Sequence, residues 1–410
     1  MGKRLKILAL SFLFPNKNQP FHGVFVLNRL KTLSKYVDIK VINPIPWSPL
    51  HPFLAQYKSS NDIPSHEVIG GLDVYHPRFF SVPRYFKSRE AGSYLRAIEP
   101  IIDEIRKEFD FDIIDMHWTF PDLPAGLAMA EKYQKKTMVT LRGMEAFHLQ
   151  DSDDRKLLVA QALTKVDAIV ALSNELRDYG DVLSGDSEKS TVICNGVDTD
   201  AFYWIDREEA RAKLGLPTGV DQKIILGVGS LIHRKGFDLV IDVLPELVAR
   251  FHGLRYYVIG SEGPEGDYRA ELKAKVKSKG LEGVVIFHGA VANDDLVSWY
   301  NSCDVFCLSS RGEGSPNVLS EALSCGAPAV STAVGSAPEI MAMANYTDFV
   351  LPGIVDSDSL RILLDRALCL DADRSQDAAA YRKYDWDWCA KSVIPVYQQL
   401  MAPEASLDKV

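Results

Sequence analysis

Two glutamates eight positions apart, Glu313 and Glu321, enclose the run Gly314-Ser315-Pro316-Asn317-Val318. A carboxylate accepts hydrogen bonds from two hydroxyl groups at once, so such a pair suits a polyhydroxylated ligand. Between them, Ser315 is a favoured N-cap residue, and Pro316 suits the first helical position, where a missing N–H costs nothing. The spacing predicts a helix beginning near Pro316, with Glu313 in the loop before it and Glu321 inside it. The unpaired N–H groups and positive dipole end of that helix attract an anion such as phosphate. An anion with hydroxyl groups on both sides describes a nucleotide-sugar. An amphipathic helix with solvated acids is the alternative for the glutamates alone. The flanking Gly-Ser-Pro-Asn and Ala322-Leu323-Ser324-Cys325-Gly326-Ala327-Pro328 disfavour it.

A second cluster lies at Gly227-Val228-Gly229-Ser230-Leu231-Ile232-His233-Arg234-Lys235-Gly236. It lacks the third glycine and the later acid of a dinucleotide fingerprint. Arg234 offers a planar fork and Lys235 a point charge, together suited to a diphosphate. Cations are disfavoured at a helix start, so an anion nearby would explain them; a solvated pair is the alternative. Four Asp-x-Asp pairs (Asp110/Asp112, Asp198/Asp200, Asp371/Asp373 and Asp385/Asp387) are near what chance gives in an acidic chain, and the expectation is no metal and no cofactor.

These residues need strands to present them. Apolar runs at Leu5–Ser11, Ile39–Asn43, Ile113–His117, Thr137–Leu141, Ala168–Leu172 and Thr191–Cys194 alternate with helical patterns such as Ala91–Phe109 and Asp122–Tyr133. A second series runs through Lys223–Gly229, Tyr256–Gly260, Val284–His288, Val305–Leu308, Ala329–Ser331 and Phe349–Leu351, with helices at Phe237–Phe251 and Tyr268–Lys279. Repeated βαβ units predict α/β architecture with parallel sheets. The expected domains are residues 1–200 and 218–385, joined near 196–220, with 386–410 a final helix and tail. Every candidate site residue follows a strand, where ligands of open parallel sheets bind.

The Glu313/Glu321 segment resembles the Glu-x7-Glu signature of the GT4-type retaining glycosyltransferases, a family of GT-B fold. The resemblance implies two Rossmann-like domains facing a cleft and a C-terminal helix crossing back to the first domain. It implies that Glu313 contacts the transferred sugar and Glu321 the donor ribose, with Gly314, Ser315, Pro316, Asn317 and Val318 lining the donor site. The segment from Val228 to Gly236 resembles the family's Val-Gly-x-Leu-x-x-x-Lys-Gly block. Lys235 matches its lysine, while Ser230 stands where many members carry arginine. Phe287-His288-Gly289-Ala290-Val291 resembles the block along the donor base, with Val291 at its edge. In the first half, Pro20-Phe21-His22-Gly23 resembles a glycine loop near donor phosphates and acceptor; a plain turn glycine is the alternative. His117, before Trp118, falls on the family's site histidine, and Leu141-Arg142-Gly143-Met144-Glu145 resembles an acceptor-side loop in which glutamate replaces aspartate. The implied reaction moves a hexose from UDP- or GDP-sugar to a glycan or lipid-linked acceptor in polysaccharide synthesis.

With 410 residues, 47% hydrophobic and 25% charged, the chain has a globular composition. Its net charge of −9 does not favour nucleic acid. No secretory signal or membrane span is expected, and six scattered cysteines suit reduced thiols in the cytoplasm. Trp47, Phe53, Tyr57, Arg78, Phe79, Phe80, Arg84, Tyr85, Phe86, Lys87 and Arg89 suit either a loop-rich lid or peripheral contact with the inner face of the plasma membrane. Rival readings are a nucleotide-sugar epimerase, a non-catalytic sugar-binding scaffold and a NAD-dependent oxidoreductase.

Overall fold

The computed structural model describes residues 4–49, 62–82, 87–143, 153–219, 221–263, 265–353 and 356–403. The chain divides into two compact units, Met1–Asn195 with Trp386–Val410, and Gly196–Asp385.

The first unit contains β1 (Lys6–Leu10), β2 (Asp38–Ile42), β3 (Ile45–Trp47), β4 (His66–Ile69), β5 (Leu72–Tyr75), β6 (Arg78–Phe80), β7 (Ile113–Met116), β8 (Lys136–Leu141), β9 (Ala168–Ala171) and β10 (Ser190–Val192). Eight of them form one sheet in the order β10-β9-β8-β7-β1-β2-β5-β4. The helices are α1 (Val24–Leu33), α2 (Glu90–Arg106), α3 (Asp122–Tyr133), α4 (Asp153–Lys165) and α5 (Asn174–Ser184). Alternation along β1 explains the layering. Leu8 and Leu10 enter the core on one face, and Ile7 and Ala9 enter that on the other. The sheet is not wholly parallel, because β4 folds back antiparallel on β5. That hairpin and the β3–β6 ribbon escaped the sequence reading. Both are short and half exposed, so they lack the long apolar runs of the buried parallel strands.

The second unit contains α6 (Arg207–Leu214), β11 (Ile224–Val228), α7 (Phe237–Arg250), β12 (Arg255–Ile259), α8 (Arg269–Ser278), β13 (Val285–Gly289), α9 (Asn293–Ser302), β14 (Val305–Leu308), α10 (Asn317–Ser324), β15 (Ala329–Thr332), α11 (Ala337–Met343), β16 (Val350–Leu351), α12 (Ser357–Leu368) and α13 (Arg374–Tyr381). Its parallel sheet has the order β13-β12-β11-β14-β15-β16. The segment expected to join the halves is built into this unit. Arg211 of α6 is fully buried, and Phe202 meets Tyr300 edge-on at 5.8 Å.

The last helix, α14 (Trp386–Met401), belongs to the first unit. Cys389, Ala390, Val393 and Tyr397 bury one face of it with Val26, Leu30 and Leu33. This is the return of the C-terminal helix that the family resemblance implied.

Candidate active site

In the second sheet, β11 is followed by β12 and β13 on one side, whereas β14, β15 and β16 lie on the other. Strand order therefore reverses between β11 and β14, and the crevice beyond their carboxyl ends is the favoured ligand position in open α/β sheets. This adjacency brings together residues 78 apart in sequence. Lys235 Nζ donates to Glu313 Oε1 at 2.6 Å, and Ser310 Oγ donates to the same oxygen at 2.7 Å. Arg234 Nη1 donates to Glu313 Oε2 at 3.1 Å and to the Gly312 carbonyl at 2.8 Å. The rest of that guanidinium faces Glu265, with Nη2 2.7 Å from Oε1 and Nε 3.1 Å from both oxygens. Glu265, Ser310 and Tyr300 were not anticipated.

Backbone geometry fixes the loops around this cluster. At Gly229 (φ 151°), a β-carbon would lie 3.2 Å from Lys235 Cε, so the lysine stem lies across the glycine. At Gly236 (φ 65°), a β-carbon would meet the Ser309 carbonyl oxygen at 1.9 Å. The turn carrying Lys235 can therefore approach the end of β14 only with glycine there.

Pro316 occupies the cap position outside α10, with ψ 85°, and the helix begins at Asn317. The expectation that Ser315 caps the helix is corrected, since α10 has no side-chain cap. Ser315 Oγ instead accepts from Ser336 Oγ at 2.9 Å, while Ser336 N donates to the Gly314 carbonyl at 3.1 Å. The turn at Gly335 thus engages Ser315 away from the helix and fixes the loop after Glu313. Val318 is half-buried, packed against the same core as Val291. Glu321 lies in the second turn of α10, where Tyr300 donates to its Oε2 at 2.8 Å. Burial pushes the Glu321 carboxyl up to about 7, against the Tyr300 hydrogen bond, which favours the charged form. Ser230 is half-buried beside Gly263, where a β-carbon would come within 2.8 Å of its own.

The first sheet reverses strand order between β1 and β7. His117 follows β7 and is completely buried. Arg142 Nη2 lies 2.7 Å from its Nδ1, so Nδ1 accepts and Nε2 carries the proton. That Nε2 is 3.3 Å from Asp115 Oδ2, which accepts from Tyr397 of α14 at 2.6 Å. Burial lowers the His117 pKa, opposed by Asp115 and aided by Arg142 and Arg29, so the ring is neutral. Arg142 also lies 5.2 Å over the Phe25 ring. At Gly23 (φ 70°) a β-carbon would fall 2.5 Å from the Leu13 carbonyl group, so the close turn before α1 requires glycine at this position. His22 beside it meets Phe12 edge-on at 6.3 Å, and burial lowers its pKa. Trp118 is half-buried. Glu145 lies outside the described residues.

One aspartate of each Asp-x-Asp pair has a structural use. Asp112 accepts from Lys6 N, Asp198 from Asp200 N, Asp373 from Gln376 N at the start of α13, and Asp387 from the Tyr36 hydroxyl. The aromatic–basic stretch divides. Phe79 is buried in the core and Arg78 donates to the His76 carbonyl, whereas Trp47 and Phe80 are exposed on the β3–β6 ribbon. Phe53, Tyr57, Arg84, Tyr85, Phe86 and the Lys87 side chain lie outside the described residues. Among the described residues, no helix is long and apolar enough to cross a membrane.

Residues 206–384 match the family model described as glycosyl transferases group 1, and residues 24–201 match glycosyltransferase family 4. TuaC of Bacillus subtilis, provisionally described as a teichuronic acid biosynthesis glycosyltransferase, is 28% identical over 81% of this chain and 82% of its own length. The lipopolysaccharide core biosynthesis mannosyltransferase LpsB of Rhizobium meliloti is 29% identical over 58% of this chain and 67% of its own. Among solved structures, sucrose-phosphate synthase of Thermosynechococcus elongatus has a TM-score of 0.73 at 17% identity, covering 97% of this chain and 99% of that one. HepE of Anabaena, solved with UDP, has a TM-score of 0.72 at 18% identity, covering 96% and 100%. The two family models together span most of the sequence and each falls on one of the two sheets, and the chain belongs to the GT4-type glycosyltransferases of GT-B fold.

Proposed function

We propose that this glycosyltransferase moves a hexose from a nucleoside-diphosphate sugar to a glycan or lipid-linked acceptor hydroxyl in polysaccharide synthesis, keeping the anomeric configuration and using no metal. The observation that carries this reading is the Lys235–Glu313 pair at the strand-order reversal of the second sheet, beside the start of α10. An ammonium has three donors, so its bond to Glu313 leaves capacity for phosphate oxygens. The first-turn N–H groups of α10 add positive potential where the diphosphate would lie. Glu313 would accept from sugar hydroxyls and Glu321 from the ribose. The relatives named for polysaccharide and lipopolysaccharide synthesis, and the neighbour solved with UDP, support the substrate classes.

Retention is assigned to front-face attack, in which the leaving diphosphate helps to remove the acceptor proton. His117, neutral and held by Arg142, orders the first unit's crevice near the acceptor. A thermal-shift panel of UDP-glucose, UDP-N-acetylglucosamine and GDP-mannose tests the assignment. One of them should raise the melting temperature, and EDTA should leave that rise unchanged. No stabilisation by any nucleotide-sugar, or loss of it in EDTA, would refute the reading.

A pH dependence follows from Glu321. Its pKa is raised to about 7, so the carboxylate that accepts ribose hydroxyls is present above that pH and lost below it. Tyr300 and Cys325 are the titratable groups that interact with it. Donor KM should rise about tenfold from pH 8 to pH 6, one protonation step at a single site. Tyr300→Phe removes a bond that favours ionisation and should shift the midpoint upward; Glu321→Gln should abolish the dependence. Measuring donor KM from pH 5.5 to 8.5 checks both.

A further inference from the structure

Four of the five N–H donors of the Arg234 guanidinium are engaged by the protein. Its Nε and Nη2 face Glu265, and its Nη1 serves the Gly312 carbonyl and Glu313 Oε2. A group so engaged is poorly placed to clamp a diphosphate, yet well placed to orient a carboxylate. Around Arg234, the 3₁₀ turn His233–Lys235 and the loop after β14 are joined further, since Arg311 N donates to the Arg234 carbonyl at 2.7 Å and Arg311 Nη1 to the His233 carbonyl at 2.7 Å.

Glu265 reaches Arg234 because residues 260–263 and 265–268 after β12 are laid along residues 229–233. At Gly260 a β-carbon would stand 1.9 Å from the Gly229 carbonyl oxygen, so the two backbones touch at the strand ends. Leu231 N donates to the Ser261 carbonyl and Tyr268 N to the Leu231 carbonyl, each at 2.7 Å. Gly263 abuts the small Ser230 side chain, and Tyr268 meets His233 edge-on at 5.3 Å. Five contacts thus fix the loop on both sides of Glu265.

Resting on the transferase reading above, we propose that Glu265 is a positioning residue: it splints Arg234 against the Gly312–Glu313 segment, so that Arg234 aims the Glu313 carboxylate and, of the two cations, only Lys235 meets the diphosphate. The splint exploits what separates arginine from lysine, a planar fork that holds two partners in fixed directions. Charge at position 234 is then secondary to shape.

The test compares Glu265→Gln, Arg234→Lys, their double variant and Lys235→Ala. UDP and GDP serve as sugar-free probes by calorimetry, and turnover is followed as nucleoside-diphosphate release from the nucleotide-sugar that stabilises the wild-type enzyme. Misaiming one carboxylate by about an ångström should lower kcat about 10- to 100-fold in Glu265→Gln and in Arg234→Lys. Nucleoside-diphosphate Kd should stay within about threefold of wild type in both, while Lys235→Ala loses it. The double variant should be no slower than Arg234→Lys alone, because one splint has been removed twice. Unchanged kcat in Glu265→Gln would overturn the proposal, as would tighter nucleotide binding, which would make Glu265 a competing counter-ion. A full-activity Arg234→Lys enzyme would restore Arg234 as a plain phosphate cation. Failure of both UDP and GDP to bind the wild-type chain would instead remove the transferase reading, and this proposal with it.

Discussion

An enzyme carrying Lys235→Ala should release nucleoside diphosphate about a thousandfold more slowly than wild type. The departing diphosphate gains charge as the glycosidic bond breaks. A preorganised cation that meets charge developing in the transition state contributes about 10²–10³ in rate per group. Lys235 is only 15% exposed, so water screens it little. Its ammonium is placed rather than free, since the stem crosses Gly229 and the tip is fixed on Glu313. The substitution should leave the fold intact, because Glu313 keeps Ser310 and Arg234 as partners. Lys235→Arg should recover part of the rate, limited by a bulkier head against Gly229. Nucleotide release measured at saturating donor, with circular dichroism as the control for folding, reads this directly. Turnover within tenfold of wild type would show that the leaving group is stabilised elsewhere.

Which parts of this site the sequence disclosed follows from how each residue is held. Strands buried on both faces are near-continuous apolar runs, so β1, β9, β11 and β14 were readable, and β7 was readable despite Asp115. Lys235 and Glu313 could each be placed after a strand. Their meeting depends on β11 lying beside β14, a matter of strand order that local pattern does not encode. Ser315 has the right chemistry for an N-cap, and the helix misses it because Ser336 engages its hydroxyl. Glu265 and Tyr300 reach their partners across 31 and 21 residues without any local motif, so nothing in the sequence singles them out. Asp115 left a faint trace as an acid inside the apolar run Ile113-Ile114-Asp115-Met116. A buried charge needs a partner, here His117 and Tyr397.

A second cluster of the same chemistry should behave as structure. Asp304 Oδ2 accepts from Arg211 Nη2 and from Ile224 N, each at 2.7 Å, and its Oδ1 accepts from Arg207 Nη1 at 2.7 Å. Arg211 is fully buried, with its remaining donors on the Ser302 and Gln222 carbonyls. Like Glu313, Asp304 gathers cations from distant segments, but it precedes β14 at the amino end of the sheet, opposite the ligand edge. Asp304→Ala would leave the Arg211 charge buried without its counter-ion, a change that typically costs about 3–5 kcal/mol. The urea midpoint should therefore fall sharply, while whatever folded fraction remains should bind nucleoside diphosphate with unchanged affinity. Asp304→Asn keeps an acceptor for Ile224 N and should lose less. Adding Arg211→Met to Asp304→Ala should recover part of the loss, because the stranded charge goes with it. If Asp304→Ala retained the wild-type midpoint, α6 would be tied to the sheet by its apolar contacts and the Arg211 bonds to the Ser302 and Gln222 carbonyls, without need of the ion pair. If instead stability held and nucleotide affinity collapsed, the amino end of this sheet would have a part in binding that its distance from the crevice denies.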